Sequence, residues 1–158
     1  MENYLDDPDF AILVVGAARV VADRLGASVQ RAGVEDMRAP FGFVIRALAE
    51  QPCTLTALAA SLGVSKQAAI KVVDDMERHG FIRRIPDPAD RRAKLLTLTP
   101  KAKTVRRTAL STSRRMEAEL RRAFGATDVA AMRTVLEGLL DRHGALTDAV
   151  AGRSRPVW

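Results

Sequence analysis

Aromatic side chains are scarce: the 158 residues include one Trp, one Tyr and five Phe, so any core must be mainly aliphatic. Cysteine is scarcer still. Cys53 stands alone, which excludes an internal disulfide and fits a reducing cytoplasm. It reads either as a redox sensor or as a small core filler. No apolar run is long enough to span a bilayer, and the acidic start, Glu2 to Asp9, is unlike a secretory signal. A cytoplasmic location is expected. The residues of catalysis are missing as sets. There is no Gly-rich phosphate loop and no Cys-x-x-Cys pair, and His79 and His143 are isolated. Glu77 and His79 project from different faces of one predicted helix, so they make no metal pair. Asp74-Asp75 and Asp87-x-x-Asp90 could hold a cation, but turn and surface roles are commoner for such pairs. Enzyme activity, a cofactor and a metal are therefore not expected.

What the chain does have is positive charge, unevenly placed. The net charge is +6. Residues 1–53 carry a net −3, residues 54–98 a net +3, residues 99–124 a net +6, and residues 125–158 are neutral. That distribution is the footprint of a polyanion binder. Taken alone it is better read as a soluble surface with spare lysines and arginines.

The stretch from Thr54 to Thr99 gives the charge a purpose. Thr56 is a good N-cap for a short helix with Leu58, Ala59 and Leu62 on its apolar face. Gly63 stops it, Val64 fills the turn and Ser65 caps a second helix, which Gly80 ends. This is the helix-turn-helix layout. At 100° per residue, Ala69, Val73 and Met76 share one face, flanked by Val72. Gln67, Lys71, Asp74 and Arg78 share the other. Ser65, Lys66 and Gln67 open the second helix, where a recognition helix meets base edges. Glutamine can bond an adenine edge and lysine a guanine edge or a phosphate. A capped helix pair with a solvated face would look similar, but a basic hairpin follows. Phe81-Ile82-Arg83-Arg84-Ile85 and Leu95-Leu96-Thr97-Leu98-Thr99 are β-prone, and two prolines in Pro86-Asp87-Pro88-Ala89-Asp90 exclude helix between them. Arg91, Arg92 and Lys94 lie at the hairpin tip, suited to a minor groove or flanking phosphates.

Ser65-Lys66-Gln67-Ala68-Ala69, the run Met76 to Arg84, and Asp87-Pro88-Ala89-Asp90-Arg91-Arg92-Ala93-Lys94 before Leu96-Thr97-Leu98-Thr99 resemble the MarR family of bacterial transcriptional regulators. The Asp-Arg-Arg wing motif ahead of the Leu-Thr-Leu-Thr strand is the most specific part. In helix order the resemblance covers residues 9 to 148. It implies that Asp90 orients Arg92 through an ion pair and that Arg92 is the better minor-groove candidate. It implies a small aromatic or phenolic effector between the dimer helices and the DNA lobe, with Phe41, Phe43, Arg46 and Arg19 as candidate pocket residues. Core packing is the competing reading for these positions. Redox sensors of the family carry their reactive cysteine near the first helix, which disfavours Cys53.

The flanks read as long helices. Asp9 can cap one running to Arg31 and stopping at Gly33, with Phe10, Leu13, Val14, Ala17, Val20, Val21 and Leu25 at helical spacing. Its stripe is expected to pack on a partner chain. Residues 37–50 form a second helix, with Pro40 in its first turn and Asp36 as a substitute cap where the family has Ser or Thr near Arg38. Gly42 inside it suggests close packing, a small-molecule contact or tolerated strain. Thr99-Pro100 opens a helix to Phe124 with Val105, Ala109, Thr112, Met116, Leu120 and Phe124 as its stripe and arginine doublets on its other faces. Gly125 ends it. Thr127-Asp128 starts a last helix, with Val129, Met132, Leu136, Leu139 and Leu140, running to about Asp148.

The expected fold is mainly α: a winged helix-turn-helix (helices plus a two- to three-stranded β wing) with N- and C-terminal dimerisation helices. Residues 1–36 and 99–150 form the dimerisation region, 37–98 the DNA-binding lobe and 151–158, with Trp158, a flexible tail. The expected function is a homodimeric, sequence-specific regulator, a repressor rather than an activator, on a pseudo-palindromic operator in double-stranded DNA. Ser65, Lys66, Gln67 and Lys71 are assigned to the major groove, Arg91 and Arg92 to the wing, and Thr54, Thr56 and Lys94 to phosphates. Two other classes stay open: a sequence-tolerant DNA-compacting protein and a winged-helix protein-interaction module.

Overall fold

Two short helices joined by a left-handed glycine form the middle of the molecule. The computed structural model describes residues 9–90 and 92–144. Helix α3 (Leu55–Leu62) is capped by Thr54, whose hydroxyl accepts from the Ala57 N–H at 3.2 Å. The expected cap, Thr56, instead lies exposed in the first turn. Thr54 takes the role because it ends a strand, and extended backbone (φ −72°, ψ 159°) is already the geometry of a cap residue. Gly63 ends α3 at φ +64°. Ser65 then caps α4 (Lys66–Arg78) by accepting from the Ala68 N–H.

The hairpin is present and gains a third strand. β1 (Cys53–Thr54), β2 (Ile82–Pro86) and β3 (Lys94–Leu98) form an antiparallel sheet in the order β1-β3-β2. Ile82 faces Leu98, Arg84 faces Leu96 and Pro86 faces Lys94. Pro86 is tolerated because β2 is an edge strand. In the turn Asp87 accepts from the Ala89 N–H and Asp90 from the Arg92 N–H, both at 2.9 Å. This corrects the expected Asp90–Arg92 side-chain pair, which is absent among the described residues. A short carboxylate two residues before a free N–H folds back onto the backbone more readily than it reaches a long side chain. Arg91 lies outside the described residues.

α1 (Phe10–Arg31) is capped by Asp9, which accepts from the Ile12 N–H at 2.9 Å. α2 (Ala39–Ala47) is shorter than the 37–50 window. Asp36 does not cap it. That residue sits two positions upstream at φ +62°, while Arg38 occupies the cap position with no side-chain bond to the helix. Gly42 has no close neighbour, since an added Cβ would meet only the Met37 Cε at 3.8 Å, so close packing does not explain it. α5 (Pro100–Phe124) starts at Thr99 and stops at Gly125. α6 (Ala126–Arg142) begins at Ala126, one residue ahead of the Thr127-Asp128 pair, without a side-chain cap. Asp128 lies in its first turn, where the helix dipole favours a carboxylate. The expected extension to Asp148 and the tail 151–158 lie outside the described residues.

One core joins these pieces. It contains Phe41, Val44, Ile45 and Leu48 of α2, Leu58 of α3, Val73 and Met76 of α4, Phe81 and Ile82, and Leu96 and Leu98 of β3. It also draws in Val29 of α1 and Ala102 and Val105 of α5. Phe81 is completely buried and meets the ring of Phe41 edge-on at 5.2 Å. Gly80, at φ +74°, makes the sharp exit from α4 that delivers Phe81 to this place. The Thr99 hydroxyl donates to the Gly80 carbonyl at 2.6 Å. Lys101 donates to the His79 carbonyl at 3.0 Å while lying over the Phe81 ring, 4.4 Å from its centroid. Away from the core, α1 leaves Phe10, Leu13, Val20 and Val21 exposed, and α6 leaves Met132, Leu136 and Leu139 exposed.

Replacing Phe81 with alanine should destabilise the chain by about 3–5 kcal/mol, read from urea unfolding. Cys53 is half-buried on β1, packed against the core, and burial pushes its thiol pKa up. The folded state therefore holds the proton more tightly than the unfolded chain. The stabilisation is complete below the unfolded pKa and is lost as pH rises through the folded one. Iodoacetamide at pH 8 should accordingly alkylate Cys53 several-fold more slowly than free glutathione, and urea should remove the difference.

Candidate nucleic-acid interface

The amphipathic division of α4 is realised in the structure. Ala69, Val73 and Met76 are buried, while Lys66, Gln67 and Lys71 are exposed. Ser65 uses a lone pair to cap the helix and keeps its O–H to donate outward. Four polar groups thus face solvent at and just beyond the N-terminal end of α4, where the helix dipole adds partial positive charge. Thr54 is half-buried and occupied as a cap, and Thr56 is exposed beside it. Arg92 and Lys94 are exposed on the hairpin, Lys94 at the first position of β3.

Arg84 fixes the hairpin relative to α4. It shares a strand face with buried Ile82, so its guanidinium turns inward. There it donates to Asp74 Oδ1 at 2.6 Å and to Glu77 Oε2. A second tether joins α2 to α4: Asp75 accepts from Arg38 at 2.5 Å and from Arg78 at 3.2 Å, and lies 3.3 Å from His79 Nδ1. The acids Asp74, Asp75 and Glu77 are therefore all committed to arginines, and they do not offset Lys66 and Lys71, which have no carboxylate partner among the described residues.

Sequence reasoning overlooked Arg84 and Arg38 as organising residues. A signal for Arg84 was available: a charged residue at an inward strand position needs a partner, and acids at positions 74 and 77 share one side of the preceding helix. Arg38 had no such signal, because its partner lies 37 residues away.

The four effector candidates do not come together in the described chain as one lining. Phe41 is 1 % exposed and belongs to the core. Phe43 is half-buried and Arg46 exposed on α2. Arg19 is exposed on α1, 3.8 Å from Asp23. None of them lines the large cleft between α2, β3 and α5. Among the described residues no group of His, Cys, Asp and Glu could hold a metal ion, and no helix is long and apolar enough to cross a membrane.

Comparison with known proteins agrees with this geometry. The MarR family profile matches residues 43–93, from α2 through the hairpin. No curated protein sequence matches the chain. Among solved structures, RV1404 from Mycobacterium tuberculosis is similar with a TM-score of 0.70 and 22% identity, covering 85% of this chain and 94% of that one. A MarR family protein from Bacillus stearothermophilus gives 0.68 and 16%, covering 91% and 99%. Streptococcus pneumoniae FabT, solved in complex with DNA, gives 0.68 and 20%, covering 87% and 99%. These likenesses establish the fold over most of the chain, and the profile places the helix-turn-helix and wing. By both, residues 43–93 match the MarR family profile, and the chain as a whole has the winged helix-turn-helix fold of these solved structures.

Proposed function

We propose that the chain is a sequence-specific regulator that binds double-stranded DNA as a homodimer and acts by occluding a promoter. The observation that carries the reading is the exposed group Ser65, Lys66, Gln67 and Lys71 on one end of α4, held beside a basic hairpin by Arg84. In this reading these four residues enter the major groove. Arg92, together with Arg91, serves the adjacent minor groove. Lys94, Thr54 and Thr56 serve phosphates. The structurally similar FabT was solved with DNA, which supports the same use of this fold here.

The homodimer is supported by the apolar surface left on α1 and α6. Phe10 is 67% exposed and Val135 60%. Large exposed apolar side chains grouped on flanking helices are the mark of an interaction surface. In the proposed domain division, residues 1–36 and 99–150 supply that surface and 37–98 the DNA contacts. One recognition helix reads few base pairs, and a two-fold dimer doubles the contact on a pseudo-palindrome. Occlusion needs no contact with polymerase, so repression is the simpler outcome. A small aromatic effector that alters the spacing of the two lobes completes the reading, with Arg19, Phe43 and Arg46 as the accessible candidates.

Selection from random duplex DNA at near-physiological salt should enrich an inverted repeat with half-sites about one helical turn apart. Tight binding with no enriched motif would instead indicate a DNA-compacting role, and no binding a protein-interaction module. On the enriched site, Gln67→Ala should relax base preference by about 1–3 kcal/mol, while Lys94→Ala should weaken all sequences alike and lower the salt dependence. Arg84→Ala removes charge-assisted bonds that hold the wing. It should destabilise the lobe by about 1–2 kcal/mol in urea unfolding and weaken DNA binding with base preference retained.

A further inference from the structure

Between the end of α2, β3 and α5 the structure opens a cleft of about 890 Å³, within the range of small-molecule sites. Neither α4 nor the tip of the wing lines it. Its wall on α5 is one ridge, in which Lys103, Arg107, Leu110, Arg114 and Ala118 recur at three- and four-residue spacing and so share a helix face. Cations stand on either side of Leu110, which is 45% exposed. Leu48, Pro52 and Leu98 add apolar wall from the facing elements.

The positive charge here is uncompensated. Arg106 and Arg115 flank the ridge, and none of the five cations has a carboxylate partner among the described residues. Arg107 and Arg115 donate only to the Thr104 and Thr112 hydroxyls one turn back. Arg121, on the same helix, is by contrast held by Glu117 at 2.8 Å. Among the described residues Glu50 is the sole carboxylate of the lining. A concave surface with this excess concentrates anions. The charge is also split in two: Arg107 and Arg114 stand seven residues apart, roughly 10 Å along a helix and nearly in line after two turns.

We infer that this cleft binds an elongated molecule with an anionic group at each end, a dianion where the ends are carboxylates, and an apolar segment between them that lies along Leu110. A compact phenol engages one end only and leaves the other pair of cations facing each other unscreened. Carboxylate and phosphate ends share the required chemistry. The inference deepens the effector part of the proposed function and rests on that reading only for the consequence on DNA. Ligand binding itself needs no DNA.

Titration calorimetry on the full chain tests it with sebacate, decane-1,10-diyl bisphosphate, decanoate and inorganic pyrophosphate. At least one of sebacate and the ten-carbon bisphosphate should bind ten or more times tighter than decanoate and than pyrophosphate, and the stronger of the two identifies the end group. Arg107→Ala and Arg114→Ala should each weaken that binding about tenfold, with thermal unfolding confirming that the variants are folded. Binding of neither dianion, or equal binding of decanoate or pyrophosphate, overturns the inference. So does an equal loss in Lys66→Ala, which would seat the dianion on the recognition helix. A tenfold loss of DNA affinity in the two arginine variants without ligand would reassign the ridge to DNA phosphates and overturn it too. Dianion binding by a chain that selects no DNA would leave the inference standing and remove the regulator reading. An enriched operator without dianion binding would do the reverse.

Discussion

The burial of Phe81 is the constraint on which the other parts depend. Four elements meet at that ring. α4 delivers it through the left-handed Gly80, α2 packs Phe41 against its edge, β2 begins directly after it, and α5 covers it with the Lys101 stem and ammonium. A ring in this position is useful because it presents a large apolar area with few rotors to order. It is also close to irreplaceable in a chain with five phenylalanines. α5 and its cap residue hold the carbonyls that end α4: Thr99 donates to the Gly80 carbonyl and Lys101 to the His79 carbonyl. The last carbonyls of a helix lack intrahelical donors, so the long helix satisfies α4 at the point where the two join. The direction of α4 is thereby set by α5.

A second layer of order is electrostatic. Residues 37–98 carry six acids, three of them on α4. Left free, Asp74, Asp75 and Glu77 would repel a polyanion. The structure turns them to Arg84, Arg38, Arg78 and His79, where they join the strands and α2 to the recognition helix. Such partly exposed pairs each contribute little to stability. Their larger effect is geometric: they fix the angle between helix and wing, and they leave Lys66 and Lys71 to face outward without competition from the acids of α4.

Much of this was legible in the residues, for a physical reason. Caps, glycine stops and apolar periodicity are local signals, and they located α1, α3, α4, α5 and both long strands to within a residue or two. The apolar face of α4 was computable from the helical repeat alone. The misses share one feature: the outcome was decided by neighbours distant in sequence or by a choice between adjacent candidates. Thr54 displaced Thr56 because a strand pairing with Leu95 held it extended. Arg38 took the cap position of α2 because its guanidinium had a destination 37 residues away on Asp75. Phe41, a candidate for ligand contact, was drawn into the core by Phe81, 40 residues on. Periodicity shows that a face is apolar; it does not show whether protein or a ligand covers it.

The joints of the molecule bear on how a regulator with this fold could be switched. Helix, wing and α2 are tied by ion pairs and one shared core, so a ligand would have to break several bonds to rotate α4 within its lobe. The connection between the lobe and the rest of α5 is different in kind. Beyond Val105 the buried residues of α5 thin to Thr112 and Met116, and the side facing α2 and β3 is a cleft lined by unpaired cations rather than a packed seam. Closing the cleft would take the cations of that ridge out of water, and a bound anion would offset that cost. A molecule bound there therefore has a differential interaction with open and closed arrangements, which is the condition for shifting a conformational equilibrium at all. In the proposed dimer each α5 belongs to the interface as well as to the lobe it carries. A small change of angle at the cleft would thus be read as a change in the distance between two recognition helices, and operator binding is sensitive to that distance because half-site spacing is set by the turn of the DNA.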